Sequence, residues 1–356
     1  MRDEGGVDGS EVIFIHPSSF ILHPEDSPMR LVLTGTGPFG VPTFRRLYGT
    51  DHEIVALVTG PLKRRGRRPL EASPARQLAE EHGTPILDPE DVNREEPQAR
   101  LSECGADLLV VCDYGQILSS GTLATTRLGG VNLHGSLLPK YRGAAPIQWA
   151  IYRGETETGV SVIHMTPRVD AGPVIEQDRT PIGPDETAPE LEARLSEMGA
   201  APVLRAIEAL EAGTAQALPQ DPALASKAPR IQKSDGLVDW ARPAQAIRNQ
   251  VRAMEPWPKS YTFWHRGQGP PVRLILGPVS VTDATNRPTF GWCPSVPDPA
   301  VLPGTVLEAA GDRIVVAAGQ GAAVLETLQP AGKRLLQVRE FLRGNHVRPG
   351  ERFGPE

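Results

Sequence analysis

The feature that most restricts the fold is an alternation of short apolar runs with helix-like stretches between Arg30 and about residue 212. The runs are Leu31–Leu33, Ile54–Val58, Pro85–Leu87, Leu108–Val111, Val131–Leu133 and Val160–Met165. Between them lie Phe39–Tyr48, Ser73–His82, Pro97–Cys104 and Ala145–Tyr152. Runs without alternating polar positions are strands covered on both faces, so the pattern predicts an α/β domain, a mostly parallel sheet with helices on both sides. Thr187 to Ala212 reads as one helical stretch stopped by Gly213. The domain is therefore expected over 29–212, with a polar, Pro-containing linker over 213–235. From residue 236 to 356 the texture changes to β-like runs: Ser260–Trp264, Val272–Leu276, Gly304–Leu307, Arg313–Ala317 and Ala323–Leu328. With one helix near Pro243–Met254 and a long loop over 283–303, that region predicts a small β-barrel of OB-like type. Residues 1–28 fit neither part and are expected to be a tail or a misassigned start, since the first clean strand opens at Met29.

Thr34–Gly40 reads TGTGPFG, so Gly35, Gly37 and Gly40 give G-x-G-x-x-G directly after the first run. Such glycines suit a Rossmann-like sheet, where they permit a tight turn and close helix packing. A nicotinamide-binding unit also wants an acidic residue about 20 positions on to hold the ribose. Here the second run ends Val58-Thr59-Gly60 with no acid. The glycines then read as packing devices, and a 2′-phosphate held by the basic loop that follows is the alternative.

Charge is unevenly spread. Of 37 Lys+Arg and 43 Asp+Glu, 17 and 11 fall from Lys227 onward, a net of +6, which leaves 20 and 32 before it, a net of −12. The whole-chain net of −6 argues against a general nucleic-acid coat, while the basic C-terminal part points to a polyanionic partner. Chance asymmetry between two surfaces is the plainer alternative. Lys63 to Arg68 adds five cations in six residues. Cys104, Cys112 and Cys293 have no C-x-x-C spacing and are odd in number, so reduced thiols and a cytoplasmic setting are expected. No apolar run approaches the roughly 20 residues that span a bilayer.

The chemistry concentrates in VNLHGSLLPKYRGAAP, residues 131–146. Asn132 and His134 are two apart on a strand, so both side chains share one face, and Gly135 marks the strand's C-terminal end, where open parallel sheets bind ligands. A second segment, GVSVIHMTPRVDAG at 159–172, is a strand followed by a turn holding Asp170. If the two strands are neighbours, Asp170 reaches His134. Acyl transfer to an amine passes through a tetrahedral intermediate bearing an oxyanion. An Asn amide and a protonated His can donate to that oxygen, and an Asp can orient the imidazole and help remove the amine's proton. The amine itself attacks, so no Ser or Cys nucleophile is needed, and G-x-S-x-G is missing. His134, His164 and Asp170 are metal-ligand types without ligand spacing, so no metal is expected. The bland reading is a loop hydrogen-bonder and a turn aspartate.

NLHGSLLPKYRGAAPI and TGVSVIHMTPRVDAGPVI resemble the signature of the folate-dependent formyltransferase superfamily, whose shared Asn-x-His and downstream Asp fall on Asn132, His134 and Asp170. The tail segments VDW (238–240), IRNQVRAMEPWPKSY (247–261) and LQPAGKRLLQVREFLRG (328–344) resemble the members that act on initiator transfer RNA, so the similarity spans nearly all of the chain from Met29. The resemblance implies 10-formyltetrahydrofolate as donor and the amino group of methionine on initiator methionyl-tRNA as acceptor, with a monomer sufficing. It implies a folate site at Leu108, Tyr114, Gly115, Ile117, Leu118, Ser136, Leu137, Leu138 and Pro139. It implies RNA contacts from Lys63, Arg64, Arg65, Arg67, Arg68, Arg142, Lys333 and Arg334, with the barrel along the RNA backbone. Two departures stand out: the basic loop reads GPLKRRGRR where relatives have a form like QPDRPAGRGKK, and Cys112-Asp113-Tyr114-Gly115 replaces the usual AYG. Three other readings of the same fold differ in their demands. A sugar-amine formyltransferase would lack the basic domain. A folate hydrolase or dehydrogenase fragment would close the acceptor side. An inactive RNA-binding protein would have no need of Asn132, His134 and Asp170.

Overall fold

The computed structural model of the chain describes residues 28–355 except 63, 66, 67, 70, 268 and 283–300. Residues 1–27, Lys63, Arg67, Cys293 and most of the expected 283–303 loop lie outside the described residues, as do the side chains of Arg64, Arg65 and Arg68.

The strands of the N-terminal part are β1 (Arg30–Thr34), β2 (Glu53–Val58), β3 (Arg64–Arg65), β4 (Arg68–Pro69), β5 (Ile86–Leu87), β6 (Leu108–Val111), β7 (Gly130–His134), β8 (Glu157–His164) and β9 (Val174–Pro181). Seven of them form one sheet in the order β5-β2-β1-β6-β7-β8-β9, while β3 and β4 make a separate antiparallel ribbon. The five strands from β5 to β7 run parallel, and β8 and β9 are antiparallel additions. Period-two geometry sorts β1 between two cores. Leu31 and Leu33 join one with Phe44 and Leu195, and Val32 joins the other with Leu101 and Leu118. The helices on these faces are α1 (Val41–Leu47), α2 (Pro74–Glu81), α3 (Glu95–Glu103), α4 (Ser120–Leu123), α5 (Pro146–Tyr152), α6 (Ala188–Met198) and α7 (Ala200–Glu211).

Two expectations change. The single helix read over Thr187–Ala212 is broken at Gly199. A Cβ there would stand 2.5 Å from Leu133 Cδ2, so the chain presses on the sheet at that point. Pro202 also has no N–H to bond the Met198 carbonyl. The second change is β9, absent from the sequence reading. Its residues VIEQDRTP are mostly half-buried and lack an apolar face, since β9 is an edge strand held chiefly by its ladder to β8.

The C-terminal part has a five-stranded sheet (Leu336–Gln337, Thr327–Pro330, Val272–Leu276, Tyr261–His265, Arg352–Gly354) and a four-stranded one (Val279–Thr282, Ala322–Leu325, Arg313–Ala317, Val306–Ala310). Both are antiparallel, and they close over a single core of Trp240, Leu274, Ile314, Leu325, Phe341 and Phe353. A bridge between Thr305 and Arg352 joins them, giving the expected barrel-like form. Helix α8 (Ala244–Ala253) ties the two parts together. Ile247 and Val251 enter the barrel core, while Ala253 and the following Met254 enter the α/β core. Arg242 lies over the Tyr152 ring at 4.4 Å and donates to its hydroxyl at 2.6 Å.

The segment read as a plain linker is tied down along its length. Leu218 and Val174 exchange backbone hydrogen bonds, the Arg142 N–H donates to the Ser226 carbonyl at 2.8 Å, and the Ala228 N–H returns to the Arg142 carbonyl at 2.7 Å.

Candidate functional site

The parallel strands deliver one cavity at their C-terminal ends, beside the point where strand order reverses between β1 and β6. Its volume is about 460 Å³. Its walls include Phe39 after β1, Val111 at the end of β6, the segment Asp113–Leu118, Asn132–Gly135 at the end of β7, and the 165–170 loop after β8.

Asn132 and His134 share a face of β7 because they are two apart, and Leu133 points the other way into the core. Antiparallel pairing sets Asn132 opposite Ile163 and His134 opposite Ser161 on β8, so the loop between β8 and β9 folds back over the same wall. Asp170 lies in that loop at φ +48°, a left-handed conformation that Asp adopts more readily than most residues. Its carboxylate faces the pair: Oδ1 is 3.5 Å from Asn132 Nδ2, and Oδ2 is 3.6 Å from His134 Nδ1. The Gly143 N–H donates to Oδ2 at 2.8 Å, which fixes that oxygen. His134 Nε2 lies 2.9 Å from the Tyr141 carbonyl. A carbonyl only accepts, so Nε2 carries the proton and Nδ1 is the ring atom directed at Asp170. Sequence reasoning left open which ring nitrogen would face Asp170, and the fold assigns Nδ1. His134 is 6% exposed and Asp170 15%, so the two groups are shielded from bulk water.

At the opposite wall Asp113 sits at φ +51°. Burial pushes its carboxyl up from the usual carboxylate range. Glu192 on α6 is raised as well, first by burial and then by the Asp113 charge. Tyr114 beside them is pushed up to about 12, by burial and by Asp91. Asp113 also counts against a phosphate seated on the glycine turn. A Cβ on Gly37 would stand 1.6 Å from Asp113 Oδ2, so a carboxylate already occupies the space against the glycine turn and would repel a phosphate there. Gly35 packs against the Cys112 carbonyl at 2.4 Å from its would-be Cβ, in keeping with the packing reading of the motif.

The expected site residues divide. Asn132, His134 and Asp170 meet, and Tyr114, Gly115, Ile117 and Leu118 line the cavity. Leu108 does not: it starts β6 at the far end, fully buried opposite Leu31. Ser136, Leu137, Leu138 and Pro139 are not in the wall either. Ser136 Oγ donates to the Lys140 carbonyl at 2.8 Å and the Leu138 N–H to Ser161 Oγ at 3.1 Å, so this stretch packs on β8 and supports the Tyr141–Gly143 loop from beneath. Arg142, expected on an RNA surface, is half-buried beside the Asp170 loop, its Nε and Nη2 donating to Gln220 Oε1 at 2.9 and 2.7 Å. Lys333 and Arg334 are exposed in the turn after Thr327–Pro330, and Arg334 pairs with Glu340. Sequence reasoning missed Phe39, Glu192 and Gln220. Nothing in their local pattern marks them, because helix packing or a linker brings each one in. Among the described residues there is no cluster of His, Cys, Asp or Glu able to hold a metal, and no helix is long and apolar enough to cross a membrane.

Comparison with known proteins falls on both parts of the chain. The "Formyl transferase" family model matches residues 29–207, and "Formyl transferase, C-terminal domain" matches 230–346. A protein from Rhodopirellula baltica named methionyl-tRNA formyltransferase is 44% identical over 91% of this chain and 96% of its own length. One of the same name from Symbiobacterium thermophilum is 39% identical over 92% and 96%. Among solved structures, an N-formyltransferase from Helicobacter canadensis in complex with folinic acid and dTDP-3-aminofucose shares the fold with a TM-score of 0.61. It is 16% identical, covering 85% of this chain and 99% of that one.

Proposed function

This chain belongs to the formyl transferase family, and on that premise we propose that it moves a formyl group from 10-formyltetrahydrofolate to the free amino group of methionine on initiator methionyl-tRNA, in support of translation initiation. The observation that carries the reading is the meeting of Asn132, His134 and Asp170 on one wall of a single cavity, within a chain whose relatives of that name extend over both of its parts. The cavity's size and apolar flanks (Phe39, Val111, Ile117, Leu118, Ile163, Met165) suit a flat heteroaromatic ring, and the Asp113 and Glu192 carboxylates offer acceptors to an amino edge.

In the proposed reaction the acceptor amine attacks the formyl carbon to form the new C–N bond and a tetrahedral oxyanion, and collapse of that intermediate breaks the carrier's C–N bond. Asn132 Nδ2 has only a long contact to Asp170, so it is free to donate to the oxygen that gains negative charge. The attacking amine sheds a proton towards Asp170 and His134 Nδ1, and that proton returns to the departing nitrogen of the carrier. The Tyr141 carbonyl keeps the Nε2 proton in place, so the ring gains and releases its second proton at Nδ1. The loop Lys63–Arg68 and the net +6 C-terminal part serve the RNA, with Lys333 and Arg334 among the contacts. The protein acts as a monomer in the cytoplasm, with residues 29–212 as catalytic domain, 213–235 as connection and 236–356 as RNA-binding barrel.

The deciding assay incubates the protein with 10-formyltetrahydrofolate and, in parallel, methionyl-tRNA, a nucleotide-linked amino sugar, or buffer alone. Formyl-methionyl-tRNA is the expected product. Transfer to the sugar, or release of formate without an amine, with none to the RNA at any salt concentration, refutes the reading.

A further inference from the structure

Between α7 and the barrel the chain runs back across the Asp170 loop. The paired hydrogen bonds of Leu218 with Val174, both 2.8 Å, place Gln220 against that loop. The Gln220 amide is then fully used. Nε2 donates to the carbonyls of Asp170 at 2.8 Å and Gly172 at 2.7 Å, and Oε1 accepts both bonds from Arg142. Its orientation follows from its partners, since carbonyls only accept and a guanidinium only donates. One side chain therefore joins the Asp170 loop to the Tyr141–Gly143 loop, whose other link is the Gly143 N–H on Asp170 Oδ2. Asp170 holds a left-handed backbone there, and Gly172 is pressed so closely that a Cβ would fall 1.7 Å from the His164 carbonyl oxygen.

We propose that Gln220 is a positioning residue for the transfer: by clamping the two loops it sets the distance of the Asp170 carboxylate from His134 and Asn132. The inference rests on the formyl-transfer reading above. Glutamine is specifically suited to this position because the site needs an acceptor on one side and two donors on the other. Leucine removes both sides. Glutamate keeps the acceptor for Arg142 but turns an oxygen towards two carbonyls, until protonation restores one donor.

Gln220→Leu is expected to lower kcat by about 10- to 100-fold, the effect typical of a displacement of about 1 Å at a reacting centre, with KM for folate and RNA within about 3-fold of wild type. In an Asp170→Asn background the same change should cost less than about 3-fold, because the group it positions is already gone. Gln220→Glu should lose activity at neutral pH, and its kcat relative to wild type should rise as pH falls. This variant decides the matter if Gln220→Leu does not fold. A cost that persists undiminished in the Asp170→Asn background, a loss confined to KM, or a Gln220→Glu ratio flat with pH overturns the inference. The wild-type arm separates the two levels. No formyl transfer by wild type defeats the functional reading, whereas an active wild type matched by its Gln220 variants defeats only the positioning role.

Discussion

Replacing Asp170 by Asn tests the charge pair directly. Asn tolerates a left-handed backbone as Asp does, so the loop at φ +48° keeps its conformation, and the side-chain volume is unchanged. What changes is charge and donor pattern. The wild-type carboxylate offers one oxygen to the Gly143 N–H and the other towards Asn132. An amide must turn its NH2 to one of those donors. It also removes the negative charge 3.6 Å from His134 Nδ1. With an effective dielectric near 20, an imidazolium and a carboxylate at that distance attract by roughly 4–5 kcal/mol. That attraction exists only when His134 carries the extra proton, which happens as the amine sheds it, so the loss falls on the transition state. At about 1.4 kcal/mol per factor of ten, kcat should drop by about 10³. KM for both substrates should move by less than about 3-fold, because the apolar walls of the cavity are untouched. Steady-state rates with formyl-methionyl-tRNA read on acid gels, alongside a thermal melt to confirm folding, make the measurement. A folded Asp170→Asn protein that keeps more than a tenth of wild-type kcat refutes the electrostatic reasoning.

Three further outcomes are expected. Asn132→Ala removes the free amide donor and should reduce kcat by roughly 100- to 1000-fold at unchanged melting temperature; a drop under 10-fold would show that the oxyanion is held elsewhere. Asp113 has a carboxyl raised by burial, so the folded chain binds more protons than the unfolded one between the ordinary carboxylate range and the raised value, and stability falls as pH rises through that window. Asp113→Asn should therefore melt higher than wild type at pH 7.5, with the gap closing as pH falls towards about 4, and a gap independent of pH counts against this account. Finally, KM for the RNA should climb steeply between 50 and 200 mM salt while KM for folate stays nearly flat, since counterion release accompanies phosphate contacts alone; parallel behaviour of the two would remove the role of the basic regions.

Much of this protein is written locally. The apolar runs of β1, β2 and β6 are legible because strands covered on both faces carry few polar positions, and the α/β class follows from their spacing. Asn132 and His134 could be placed together because two-residue spacing fixes a shared face whatever surrounds it. Asp170 was legible only on the condition that its strand neighbours β7, since nothing in its own turn says which strand β8 will join. Other features belong to the tertiary structure. Strand β9 has no apolar face because its stability comes from a ladder, and ladders are made of backbone. The break between α6 and α7 depends on Leu133 meeting Gly199 from another element. Where Ser136–Pro139 rest was not legible, because direction out of a loop is set by what the loop rests on, here Ser161 of β8. Gln220 lies in a stretch without period, and its partners at Asp170, Gly172 and Arg142 are 48 to 78 residues away in sequence. Periodicity reports which way a side chain faces its own element. It carries no information on what arrives from elsewhere, and the polar network that sets the Asp170 geometry is made entirely of such arrivals.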